Sequence, residues 1–377
     1  MKAPGNKKIR SIKPCLLAFG ALIIFTLTAC SFSPKYERPE AELPSQWTAQ
    51  PGDSLEYNWW ERFNDPVLNS MVNEAMDYNR DIAIAIARVD QARANLGLSW
   101  SDLLPEIGIQ GAANKNRLST RTHTPVTTEA RTYKDYSGAA IFSWELDLWG
   151  KYRETIKSAK ARLLAAEATR DGALLTLQAE VCRTYFSLRA LDAQKAYAEK
   201  TLHNREAYLQ IYAERYKIGA LPELDYQRGK AVVEAARIAL SQYTAELENA
   251  EGSLAVLLGR SPKAIFEEYA QRGLNLEEMP PIPVVPAGLP SELLERRPDI
   301  RAAEQNLISA NAEIGVARAA YFPSISLTGL LGYESASLSR LFSEPASTWA
   351  YGGTLTMPIL DFGRVRSGEL YALARKR

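Results

Sequence analysis

The chain has 377 residues, 46% of them hydrophobic, with 45 Lys and Arg against 44 Asp and Glu for a formal net charge of +1. That length suits about two ordinary domains, and the composition is that of a folding chain rather than a disordered one. Balanced charge suggests no polyanionic partner, and the lack of a basic patch interleaved with aromatics weakens a nucleic-acid reading. Three scattered cysteines and two distant histidines, His123 and His203, provide no disulfide framework, metal-ligand cluster or histidine acid–base pair. No metal, cofactor or catalytic residue is expected.

The first element is a leader. Lys2, Lys7, Lys8, Arg10 and Lys13 precede an apolar run from Cys15 to Ala29. That is the charge and length pattern of a secretory signal peptide, and the run is too short to span a bilayer as a helix. It closes on Leu27-Thr28-Ala29-Cys30, which resembles a bacterial lipobox. Small residues before a cysteine suit the narrow site of the lipoprotein signal peptidase, and the thiol takes up diacylglycerol. Residues 1–29 are thus expected to leave, with Cys30 carrying lipid. Ser31, in place of Asp, is similar to the sorting signal for the outer membrane. Residues 30–65, rich in Pro, Glu and Ser between Ser33 and Pro51, are expected to form an extended tether.

A first structural repeat is expected over 66–290. Its helix runs Asp81–Trp100 and ends before Pro105. Two strands, 106–116 and 135–148, follow. In the second, Tyr136, Gly138, Ala140, Phe142, Trp144, Leu146 and Leu148 alternate with Ser137, Ala139, Ile141, Ser143, Glu145 and Asp147. In the first, Ile107 and Ile109 face opposite to Gln110 and Asn114. A helical hairpin is expected over 151–258. From Lys151 to Lys217 there is no proline and one glycine, Gly172, with a heptad-like seam through Leu174, Leu177, Val181, Tyr185, Leu188 and Leu191. Such a helix would reach roughly 100 Å. Gly219-Ala220-Leu221-Pro222 makes the turn, and a second helix returns from about Glu223 to Leu258.

The second repeat, 291–377, restates the first. The stretch from Asp81 to Gly111 returns ungapped from Asp299 to Gly329. Gly97 matches Gly315, Pro105 matches Pro323, and Ala85, Ala92 and Ala94 match Ala303, Ala310 and Ala312. It carries a helix, 299–320, strands 324–334 and 348–358, and Asp361-Phe362-Gly363-Arg364 against Asp147-Leu148-Trp149-Gly150-Lys151. A period this long with mixed helix and strand denotes a duplicated half-molecule rather than a solenoid. Only 16 residues follow Asp361, so a second long hairpin is expected to be missing, as in a truncated product or a fragment.

The strands are about 10 residues long, enough for a tilted strand to cross a bilayer, with aromatics near their ends. A soluble sheet with one wet face shows the same period. Four strands cannot close a membrane barrel, and open edges are excluded from lipid. Membrane insertion therefore requires several chains to share one barrel.

Further segments carry a family resemblance. They are Pro34-Lys35-Tyr36-Glu37-Arg38-Pro39, Trp59-Trp60 with Phe63 and Asp65-Pro66, and Leu254-Ala255-Val256-Leu257-Leu258-Gly259. Leu293-Leu294-Glu295-Arg296-Arg297-Pro298-Asp299-Ile300, continued through Ile314-Gly315-Val316-Ala317-Arg318 to Phe322-Pro323, is the most specific. The chain resembles the outer-membrane efflux channels of the TolC superfamily, in the lipoprotein, NodT-like branch. The resemblance implies a mixed α and β membrane protein. Four strands per chain would enter a trimeric 12-stranded barrel above a periplasmic α-barrel of long antiparallel helices, in a Gram-negative outer membrane. It implies a homotrimer with a periplasmic adaptor and an inner-membrane resistance–nodulation–division pump as partners, and transport without chemistry. Arg215-Tyr216-Lys217-Ile218-Gly219 with Asp225 is similar to the family's tip motif. It makes Asp225 a candidate periplasmic gate and Arg215, Tyr216, Gly219 and Leu221 candidate adaptor contacts. A helix-start carboxylate is the plainer reading of Asp225. The rivals are a type I secretion exit duct, a lipid-anchored periplasmic coiled-coil scaffold, and a non-functional truncated product.

Overall fold

The computed structural model describes residues 31–40, 58–119, 132–261, 263, 270–275, 277–278 and 293–377. The leader, Cys30, and parts of the expected tether and linker lie outside the described residues. The chain divides into two compact units, each assembled from separated segments.

The first unit comprises residues 1–39, 91–165 and 303–377 and holds an antiparallel sheet of order β1-β2-β3-β4. The strands are β1 (Glu106–Arg117), β2 (Thr132–Glu145), β3 (Ser324–Ser335) and β4 (Ser347–Thr356). The register sets Phe142 opposite both Ile107 and Gly329, and Gly329 opposite Tyr351. Since side chains alternate along each strand, this alignment gathers Ile107, Ile109, Phe142, Trp144, Leu327, Leu331, Trp349, Tyr351 and Leu355 on one face. Gln110, Asn114, Ser143, Glu145, Thr328 and Thr354 share the other. β1 and β4 are the two edges.

Two expectations need correction. β2 stops at Glu145, so Leu146 and Leu148 are not strand residues. There the chain breaks off so that Asp147 can cap the next helix: its carboxylate oxygens accept the Tyr152 and Arg153 N–H groups, each at 3.1 Å. β4 likewise ends at Thr356 rather than 358. In addition, Trp144 shares the apolar face but is buried, its indole Nε1 donating to Leu103 O at 3.0 Å.

The helices of the chain are α1 (Pro66–Tyr78), α2 (Arg80–Ser101), α3 (Lys151–Lys217), α4 (Glu223–Leu257), the single turn α5 (Leu293–Arg296), α6 (Pro298–Ala319) and α7 (Arg364–Lys376). Both bounds of α2 and of β1 recur in α6 and β3 at the same displacement of 218 (298 − 80 and 324 − 106). α3 and α7 start alike, on a glycine of positive φ, 78° at Gly150 and 86° at Gly363. Asp361 caps α7 through the Gly363 and Val365 N–H groups as Asp147 caps α3. Duplication thus extends from composition to capping chemistry.

In the first unit α6 packs on α3 and α7. Ser309 and Ser158 hydroxyls meet at 2.9 Å in the buried layer, and Glu313 bridges Arg162 and Arg375. Arg318 and Tyr321 both bind Glu369. The expected tether is not loose where it is described: residues 31–38 lie along α6. Asn311 Nδ2 donates to Pro34 O at 2.7 Å, Arg318 Nη1 to Phe32 O at 3.2 Å, and Arg38 holds Glu304 with two 2.7 Å bonds. Phe32 stacks on Phe322, which stacks on Trp149.

The second unit comprises residues 40–90 and 166–302 and holds the main apolar core. Leu68, Met71, Val72 and Ala75 of α1 recur at helical spacing and bury against Leu177, Val181, Tyr185 and Leu188 of α3 and Leu247 and Leu254 of α4. The long-helix seam expected from the heptad pattern is therefore the buried stripe. Cys182 sits in that stripe, where burial pushes its thiol up to about 12. It is an inert packing residue. Asp65 is almost fully buried. Its Oδ1 accepts the Val67 and Leu68 N–H groups at the head of α1, while Oδ2 accepts the Tyr185 hydroxyl and the Leu274 N–H. Arg189, Asp192, Arg272 and Glu251 join the same segment to both legs of the hairpin.

Candidate functional site: the hairpin tip

The sequence-expected site lies where α3 turns into α4. α3 ends in a Schellman motif: Ala220 N–H reaches Arg215 O at 2.8 Å and Gly219 N–H reaches Tyr216 O at 3.0 Å. The motif requires a left-handed residue, and Gly219 has φ 73°. Open space surrounds the position where its Cβ would be, so backbone conformation rather than crowding selects glycine. Pro222 N-caps α4 with φ −62°, and Glu223 and Asp225 place acidic charge in its first turn.

The turn brings Tyr216 and Tyr226 together, with ring centroids 5.1 Å apart and planes 9° from parallel. Lys230 Nζ lies 4.5 Å over the Tyr226 ring. Asp225 is half-buried and pairs with Arg228 of its own helix at 3.6 Å. Arg215 is exposed and Leu221 half-buried. Leu221 and Asp225 line a cleft of about 650 Å³ between the two legs, with Tyr208 and Tyr212 on one wall and Arg228 and Gly229 on the other. The legs close to contact at Gly229, where a Cβ would meet Tyr212 Cδ2 at 3.2 Å and Leu209 Cδ1 at 3.3 Å.

Asp225 and Leu221 thus share one cleft, and Tyr216 stacks on Tyr226. Three features of the tip went unread in the sequence: Tyr226, Arg228 and Gly229. The i, i+3 spacing of Asp225 and Arg228 and the isolated glycine in a helix were the available signals. Tyr197, Tyr208, Ile218, Leu224 and Ile238 are exposed on the hairpin. Among the described residues no His, Cys, Asp and Glu group could hold a metal ion, and no helix is long and apolar enough to cross a membrane.

A duplicated chain with a four-stranded sheet of one apolar face and a 67-residue helix that turns into a second, returning helix defines an outer-membrane channel subunit of the TolC type. The comparisons identify it further. The profile of the Outer membrane efflux protein family matches residues 71–260 and 289–377, and the chain belongs to that family. It is 36% identical over 372 residues to outer membrane protein OprJ of Pseudomonas aeruginosa, covering 97% of this chain and 76% of OprJ. It is 32% identical to the probable efflux pump outer membrane protein TtgC of Pseudomonas putida, covering 94% of this chain and 74% of TtgC. Among solved structures it is similar to the Campylobacter jejuni CmeC outer membrane channel, with TM-score 0.85 and 29% identity over 92% of this chain and 74% of that one. The open state of the Neisseria gonorrhoeae MtrE channel gives TM-score 0.78 and 30% identity over 92% and 76%. The protein is an outer-membrane efflux channel component.

Proposed function

We propose that three copies of this chain form one 12-stranded barrel with a periplasmic tunnel, which conducts small molecules passively from an inner-membrane pump delivered through a periplasmic adaptor. The observation that carries this reading is the sheet itself. It has one continuous apolar face and two unpaired edges, β1 and β4, a combination that lipid tolerates only if further strands close the ring. Transport of this kind needs no nucleophile, base or metal, only a lined path. Mass determination in detergent should give three chains per particle, and planar-bilayer recording should give discrete conductance steps. A monomer without conductance would refute the shared barrel.

The leader and anchor belong to the same reading. Cys30 Sγ loses its proton and displaces the phosphoglycerol head group of a phospholipid, forming a thioether to diacylglycerol. Hydrolysis of the Ala29–Cys30 peptide bond then frees the Cys30 amine, which attacks an acyl ester of a second phospholipid, forming an amide and releasing a lysophospholipid that takes up the amine proton on its hydroxyl. The docked segment supports this: Phe32 stacks beside Phe322 and Trp149, at the start of β3, where an anchor entering the membrane would leave the protein. Intact mass of the amino-terminal peptide tests it.

At the tip, Asp225 of each copy narrows the periplasmic entrance, while Arg215, Tyr216, Gly219 and Leu221 present the adaptor-facing surface. The support is the placement of Arg215, Tyr216, Gly219 and Leu221 at one turn and of Leu221 and Asp225 in one cleft.

A further inference from the structure

The sheet sorts its charges by face. Glu106, Asp135, Glu145 and Glu334 are the carboxylates of the four strands, and all lie on the polar side with Gln110 and Ser143. Lys115, Arg117 and Lys134 are the cations, and all lie on the apolar side with Ile107 and Phe142. β4 carries no charged residue. The apolar side therefore holds positive strand groups and no negative ones. A β4 strand of another copy, set beside β1, brings no carboxylate either.

The cations also gather at one end. α3 and α7 leave the sheet, and α2 and α6 enter it, at the end of Glu106, Glu145, Ser324 and Thr356, whereas Arg117 and Thr132 mark the other end. Lys115 stands directly opposite Lys134, and Arg117 opposite Thr132. All three cations are exposed. Next inward on the same face is Tyr136, opposite Ala113 and Ser335, and then Tyr333, opposite Gly138. Tyrosines of this kind mark the membrane–water boundary. Lys115 lies eight residues beyond Ile107. That is about 27 Å along the strand and roughly 20 Å of height at ordinary barrel tilt, against an apolar band of about 25 Å. The cations thus stand at the outer rim of the band, where the cost of a charge on the lipid side falls steeply.

Like charges directly opposite each other weaken a strand pair. An anion between Lys115 and Lys134 turns that repulsion into attraction, and at a lipid-facing rim the anion within reach is a headgroup phosphate. Ammonium and guanidinium groups bind phosphate through charge-assisted hydrogen bonds, and their long stems lie along the apolar surface below. We propose that Lys115, Lys134 and Arg117 form a binding site for the phosphate groups of an outer-leaflet lipid. The proposal rests on the barrel reading, which turns this face to lipid and this end to the exterior. Because β1 is an edge strand, the bound lipid packs beside the junction between copies.

The purified trimer, stripped of lipid in mild detergent with a chelator and no phosphate, is titrated with diphosphoryl lipid A, with its dephosphorylated form and with inorganic phosphate. Native mass and thermal unfolding follow binding. Diphosphoryl lipid A should bind at least tenfold more tightly than the dephosphorylated form. Lys115→Gln with Lys134→Gln should lose that preference, and Lys115→Arg with Lys134→Arg should keep it. Lys200→Gln, an exposed position on α3, should leave it unchanged. Inorganic phosphate at equal concentration should not displace the lipid. If the double glutamine variant does not assemble, Lys134→Gln and Arg117→Gln singly should each weaken binding at least threefold. No preference in the parent trimer overturns the site, as does a preference that survives loss of both lysines, or of Lys134 and of Arg117 in turn. Equal loss in Lys200→Gln reduces the effect to net charge and overturns it too. Displacement by inorganic phosphate denotes a site for free anions instead of lipid. Failure of the barrel reading looks different: the protein is a monomer without conductance before any lipid is added.

Discussion

Tyr216 and Tyr226 stack across the hairpin turn at 5.1 Å, one ring from each leg, so the tip is closed by side chains as well as by the Schellman hydrogen bonds beneath them. An aromatic pair contributes about 1 kcal/mol beyond the area it buries. Tyr226→Ala should therefore raise amide exchange across residues 214–230 about fivefold, while Tyr226→Phe, which keeps the ring, should leave it near the parent rate.

Gly219 and Asp225 should separate turn from gate. A β-branched residue at Gly219 meets the left-handed penalty of about 1–2 kcal/mol. Gly219→Val should lower adaptor affinity and drug resistance while single-channel conductance stays unchanged. Asp225→Ala should instead raise conductance and weaken block by multivalent cations from the periplasmic side. Since Arg228 stands 3.6 Å from Asp225, Arg228→Ala should strengthen that block. Conductance and block unchanged in Asp225→Ala would reduce the residue to a helix-start carboxylate.

Asp65 joins three parts of the second unit through one buried carboxylate. Asp65→Ala removes the cap of α1 and strands the Tyr185 hydroxyl and Leu274 N–H. A loss of roughly 2–4 kcal/mol is expected in denaturant unfolding. Tyr185→Phe removes one of these bonds and should cost about 1–2 kcal/mol. Burial, reinforced by the hydrogen bond to Asp65, pushes the Tyr185 hydroxyl well up, so neither effect should vary with pH between neutral and mildly alkaline conditions.

Docking of the amino-terminal segment should depend on acid. The hydrogen bonds from Arg38 hold the Glu304 carboxyl below its ordinary value. A depressed folded value means that the group binds fewer protons folded than unfolded. Its stabilisation is then complete above the ordinary glutamate range, about 4.3, and is lost as pH falls through the lower folded value. Amide exchange of residues 35–38, measured at each pH and corrected for the intrinsic rate, should rise as pH falls below that range. It should stay at its neutral-pH level at pH 5.5. Glu304→Gln should remove the difference.

Much of the fold was legible because it is written locally. Period two in the strands, the heptad seam from Leu177 to Leu188, glycine and proline at the turns, and the 218-residue repeat each depend on neighbours in sequence. The tip was legible for the same reason: Arg215 to Asp225 is one continuous motif. The errors were local as well. Leu146 and Leu148 keep the strand alternation, but Asp147 between them is taken by the α3 cap, and a helix start outcompetes two more strand pairs.

The sequence by itself determined the order of elements, the duplication, the length of the hairpin and the residue types at its turn, since these follow from backbone propensity and short-range period. Only the tertiary structure decided that the four apolar strand faces coincide, that the amino-terminal segment docks along α6, and that Glu154 and Asp65 are buried acceptors. Ser31 meets Glu154 across 123 positions, Tyr185 meets Asp65 across 120, and Arg38 meets Glu304 across 266. Such pairs have no local periodicity, because what selects them is the desolvation of a charged group once the helices have already packed.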